Sequence, residues 1–163
     1  MEDKRKLVVL RHAKAGELPG GPDFERVLLP SGQRDSAAAG RWLASQGFRP
    51  DAVICSSSKR TRQTWENVAP ALGGDPEFTA EERLYNADVE DLIEIIRQTP
   101  AEVETLLYIG HVPPAAKLAS LVTGTETVLP DAATAVIELD GDWADLAAGT
   151  GELLATWSPG ADG

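Results

Sequence analysis

The chain is poor in the residues on which several functions depend. It has one cysteine, Cys55, so neither an intramolecular disulfide nor a cysteine metal cluster can form within it. It has two histidines, His12 and His111, so a metal site would have to lean on carboxylates. Long apolar runs are missing: stretches such as Leu7–Leu10 fall far short of the ~20 residues that span a bilayer. Met1–Lys6 is charged and no apolar segment with a cleavage site follows, so we expect no signal peptide, no membrane partner and a cytoplasmic protein. Positive charge is scarce, with 15 Lys+Arg against 26 Asp+Glu and a net charge of −11, which argues against a nucleic-acid partner. Neither a G-x-x-x-x-G-K-[ST] phosphate loop nor an H-E-x-x-H zinc motif occurs.

What remains is ordinary globular composition. The 163 residues, 42% of them hydrophobic, suit one domain with a sizeable core. We expect that domain over residues 1–157, with a frayed polar tail over 158–163. Lys6–Arg11, Asp51–Ser56 and Thr105–Gly110 read as buried strands, because each is a short apolar run bounded by polar residues. Thr134–Leu139 and Leu153–Trp157 read as two more, the second at an edge. Helices are expected from Ser31, as N-cap, to Gln46, around Trp65–Leu72, over Val89–Thr99 with Asp88 as cap, and from Pro113-Pro114 to Val122. Pro70 should end or kink the second helix. Strands alternating with helices predict a three-layer α/β/α sandwich with a mainly parallel sheet and a mixed edge.

In such sheets ligands bind beyond the carboxyl ends of the strands. The first strand ends in Arg11-His12, the second leads through serines to Lys59-Arg60, and the third ends in Gly110-His111. Both histidines therefore stand just past core strands, with arginines beside them. Two guanidinium groups can grip a phosphoryl dianion through planar forks. A neutral imidazole can attack phosphorus, and a second histidine can donate to the phosphoryl oxygens. Phosphoryl transfer needs mainly positioning and charge stabilisation, which these four residues supply without a metal or other cofactor.

Three segments resemble the motifs of the histidine phosphatase (phosphoglycerate-mutase-like) superfamily. Arg11-His12-Ala13 is similar to its R-H-G/A signature, Ser56–Thr64 to its S-x-x-x-R-x-x-Q-T, and Ile109-Gly110-His111 to its strand ending in G-H. The compact chain resembles the SixA-type phosphohistidine phosphatases within it. Arg26–Gly32 resembles their R-P-L-T-x-x-G segment in its Arg, Leu and Gly, while Val27 and Leu29 depart from it.

The resemblance implies His12 as nucleophile, Arg11, Arg60 and His111 as further catalytic residues, and Arg26 as a substrate contact. It implies a phosphorylated histidine protein as partner, or a small phosphorylated metabolite if the enzyme is a phosphomonoesterase. A phosphoryl-binding module without turnover is the non-enzymatic alternative. No general acid is identifiable: Glu81 and Glu82 lie in the right region but in no motif. Lys14, Lys59 and Arg62 are open as substrate contacts. Cys55 reads as an inert core residue, and Trp42, Trp65 and Trp157 as packing. Trp143, in a connection, is free to be exposed.

Overall fold

The computed structural model describes residues 4–160. Six strands form one sheet: β1 (Lys6–Arg11), β2 (Ala52–Ser56), β3 (Glu77–Glu81), β4 (Thr105–Gly110), β5 (Thr134–Leu139) and β6 (Gly151–Trp157), in the order β3-β2-β4-β1-β5-β6. β3, β2, β4 and β1 run parallel; beyond β1, β5 pairs antiparallel with β1, and β6 pairs antiparallel with β5. The expected parallel sheet with a mixed edge is present.

The apolar runs of β1 and β4 are explained by layers on both faces. Successive side chains point to opposite sides of a strand. Val8 and Leu10 of β1 join one core with Leu43 of α1 (Pro30–Gln46) and Val68 of α2 (Lys59–Leu72). Leu7 and Val9 join the other with Ile96 of α3 (Val89–Arg97) and Leu118 of α4 (Pro114–Thr123).

Several boundaries differ from the sequence expectations, each for a local reason. Pro30 takes the first position of α1 and Leu29 caps it, so Ser31 lies inside the helix. Proline's fixed φ suits that position, and its missing N–H removes no bond there. Asp51 does not extend β2; its carboxylate accepts from the backbone N–H groups of Glu104 and Thr105. α2 starts at Lys59, six residues before Trp65, because buried Thr61 and Thr64 bond back to the carbonyls of Ser58 and Arg60. Pro70 falls in the last turn, where the helix runs on to Leu72. α3 ends at Arg97, short of Thr99, and β6 begins at Gly151, ahead of Leu153.

β3 escaped the sequence reading. Its residues are almost all exposed, so no apolar alternation betrays it. Trp143 is not exposed: it is buried in a short 3₁₀ turn, and its indole N–H donates to the Val103 carbonyl at 2.8 Å. The expected tail over 158–163 lies partly outside the described residues.

The segment between β1 and α1 is pinched at its base. Ala15 and Leu28 form an isolated antiparallel bridge, Gly16 N–H donates to the Val27 carbonyl, and Leu29 N–H donates to the Lys14 carbonyl. The loop tip, residues 17–26, is thus held by a closed neck.

α1 and α2 pack against each other through Gly40. A Cβ at that position would stand 2.3 Å from the Val68 carbonyl oxygen, well inside contact distance. Gly40→Ala should force the helices apart at a cost of about 1–3 kcal/mol. A urea titration reads this as a lower midpoint at constant slope; an unchanged midpoint would show that the helices part freely.

Candidate active site

The parallel register of β1 and β4 sets the site. Arg11 pairs with Gly110, so the next residues, His12 and His111, leave adjacent strands side by side. Their ring centroids are 5.3 Å apart in an edge-to-face arrangement. Arg60 reaches the same place from the first turn of α2, and Arg26 from just before α1. All five residues singled out from the sequence line one cleft of about 460 Å³, together with Lys14, Asp23, Tyr85, Asn86 and Asp131. Lys59 and Arg62 are not among its lining residues; Arg62 Nε donates to the Ser57 carbonyl at 2.9 Å. Glu81 and Glu82 do not line it either, and Glu81 is paired with Arg83 at 2.9 Å.

The nucleophile candidate is oriented by its own neighbour. His12 Nδ1 lies 2.8 Å from the Ala13 carbonyl, which can only accept, so Nδ1 carries the proton and Nε2 keeps its lone pair. Burial holds the pKa of His12 down at about 4, helped by Arg60 and Arg11 and opposed by the Ala13 bond. Burial likewise lowers His111 to about 3, helped by His12 and Arg60. Both rings are therefore neutral near pH 7.

In His111, Nδ1 faces Arg60 at 3.5 Å and Nε2 faces buried Ser56 Oγ at 2.8 Å. A guanidinium only donates, so Nδ1 accepts and Nε2 donates.

The arginines are braced but retain capacity. Arg11 donates to the Leu129 carbonyl at 3.0 Å and stands 3.4 Å from Asp131. Arg60 donates to both the backbone carbonyl and the carboxylate of Asp23, at 3.0 and 3.1 Å. The Nε atoms of both are buried without a hydrogen-bond partner.

The last two residues of the S-x-x-x-R-x-x-Q-T segment act as struts. Thr64 Oγ1 accepts from Ala13 N–H at 3.0 Å, beside the nucleophile. Gln63 Oε1 accepts from Leu28 N–H at 2.8 Å, at the loop neck.

Sequence reasoning missed Asp23, Tyr85, Asn86 and Asp131. Asp23 had a faint signal, standing three residues before Arg26, which it meets at 3.1 Å. Tyr85 had none, because only the tertiary fold brings its hydroxyl 2.6 Å from Asp23. Cys55 is buried, and burial pushes its thiol up to about 12, consistent with an inert core residue. Among the described residues, no three His, Cys, Asp or Glu side chains converge as metal ligands would.

Comparison with known proteins places the chain in a family. The family model of the histidine phosphatase superfamily, branch 1, matches residues 7–114, and the chain belongs to that superfamily: it is a phosphatase. Within it the likeness is to SixA. The solved structure of a protein assigned as phosphohistidine phosphatase SixA from Nakamurella multipartitia has a TM-score of 0.85 and 31% identity, covering 98% of this chain and 99% of that one. The protein histidine phosphatase SixA complexed with tungstate gives 0.81 and 25%, covering 94% and 97%. An uncharacterised protein of Mycobacterium tuberculosis is 34% identical over 161 residues, which cover 92% of this chain and 99% of the relative.

The two histidines give a direct check on the electrostatics. The unfolded chain binds protons at its histidines near pH 6.5, while the folded chain resists them until about 4 for His12 and lower for His111. Between those values the unfolded state holds more protons, so stability rises with pH across the window and is lost as pH falls. In a proton NMR titration both imidazole resonances should stay at the neutral position from pH 8 down to about 5. A midpoint near 6.5 for either would contradict the buried site.

Proposed function

We propose that the chain is a metal-independent phosphohistidine phosphatase acting through a covalent phosphohistidine on His12. The observation that carries this reading is the pair of adjacent histidines, 5.3 Å apart, in one cleft with Arg11, Arg26 and Arg60. His12 Nε2 attacks phosphorus in line with the leaving group. The new N–P bond forms as the old bond breaks. Arg11 and Arg60 hold the equatorial oxygens, Arg26 assists, and water then hydrolyses the intermediate. The guanidinium groups supply the positive charge that a metal ion supplies in other phosphoryl-transfer enzymes.

His111 has no free donor while neutral, because its single N–H is given to Ser56. A phosphoryl dianion brought beside it favours the imidazolium, which adds positive charge next to the phosphoryl oxygens.

The cleft suits a phosphorylated side chain on another protein. Asp23, at its mouth, has a side chain 51% exposed, and Lys14 is exposed too. Such an open rim admits a protein-borne group. A direct comparison of a phosphorylated histidine protein with a panel of phosphorylated metabolites should favour the protein.

Replacing His12 by Ala should lower turnover at least ~10³-fold and abolish the labelled phosphoenzyme in a rapid alkaline quench. EDTA should leave wild-type activity unchanged. Near-native turnover in the His12→Ala variant would remove the covalent mechanism, and loss of activity in EDTA would remove its metal independence.

A further inference from the structure

The acidic residue at the mouth of the cleft has no part in the mechanism above. Asp23 comes from the tip of the loop between β1 and α1, and its carboxylate faces the same cleft as His12. One oxygen meets Arg26 at 3.1 Å; the other meets Arg60 at 3.1 Å and accepts from Tyr85 at 2.6 Å. The Tyr85 bond, followed by Arg26 and Arg60, holds its pKa down to about 2. Asp23 therefore stays ionised and has no proton to give.

A fixed negative charge next to a phosphate-binding arginine is a liability for most substrates. It repels the phosphoryl dianion and any anionic group on the leaving side. It becomes an asset where the leaving side carries an N–H or a positive charge. A phosphorylated imidazole does so, because its distal ring nitrogen can carry a proton.

We propose that Asp23 is the specificity-determining residue of this site. Its carboxylate accepts a hydrogen bond from the distal N–H of the phosphorylated imidazole and so selects phosphoramidates of imidazole over phosphate esters. This deepens the phosphohistidine reading and rests on it. The step balances without a general acid. His12 Nε2 supplies an electron pair to phosphorus, and the P–N bond of the substrate breaks with its pair left on the departing nitrogen. The proton already on the distal nitrogen makes the departing imidazole neutral, and Asp23 neither gains nor loses a proton. An ester has no such proton, and the ionised Asp23 supplies none to its leaving oxygen.

The test compares phosphoimidazole with phenyl phosphate in the wild-type protein, Asp23→Asn and Asp23→Ser, with thermal melting to establish that each variant is folded. Wild type should prefer phosphoimidazole. Both variants should lower the ratio of kcat/KM for phosphoimidazole to that for phenyl phosphate about tenfold, the scale of one hydrogen bond to a charged group. The ratio is decisive because loss of the brace on Arg26 and Arg60 would weaken both substrates alike. A wild-type preference with an unchanged ratio in the variants would overturn the role of Asp23 alone. Wild-type turnover of phenyl phosphate without any of phosphoimidazole would overturn the phosphohistidine reading and this proposal together.

Discussion

Arg11 and Gly110 face each other across the parallel pair of β1 and β4, and everything in the cleft follows from that register. It brings two residues 99 positions apart to a ring separation of 5.3 Å. A slip of one residue would turn one histidine to the opposite face of the sheet. The register is secured by side chains that fill both faces. Leu7, Val9, Leu106 and Tyr108 bury toward α3 and α4, while Val8, Leu10, Leu107 and Ile109 bury toward α1 and α2. The two cores that stabilise the sheet therefore also fix the distance between the two imidazoles.

Electrostatics adds a second layer. The chain carries −11, yet three arginines gather at one strand edge. Two of the acidic residues are spent locally as braces, Asp131 on Arg11 and Asp23 on Arg60 and Arg26. The histidines are kept neutral by burial and by those same arginines, which is the state a nucleophile needs. Guanidinium groups thus do two jobs, gripping the phosphoryl group and suppressing protonation of the ring that attacks it.

Most of this was legible in the sequence, and the remainder failed for identifiable reasons. Buried strands announce themselves by apolar runs, and β1, β2 and β4 did so. Placing chemistry at their carboxyl ends then located Arg11, His12, Arg60 and His111. β3 is an exposed edge strand held by pairing with β2, so it leaves no pattern. Trp143 sits in a connection but fills the core, because aromatic burial is decided by the tertiary neighbours of a turn and not by its polarity. The pairing of Asp23 with Tyr85 is hidden for a similar reason: they are 62 residues apart and meet only in the folded chain.

The closed neck of the loop between β1 and α1 has a consequence for how such a site can diversify. Its base is tied by main-chain bonds and by Gln63, while at the tip Asp23 reaches across to Arg60 and Tyr85. Loop-closure entropy grows only slowly with length. A longer tip is therefore tolerated by the chain, but any change at Asp23 or Arg26 also reaches the arginines that hold the phosphoryl group. In that sense the molecule couples which molecules it accepts a phosphoryl group from to how firmly it holds that group.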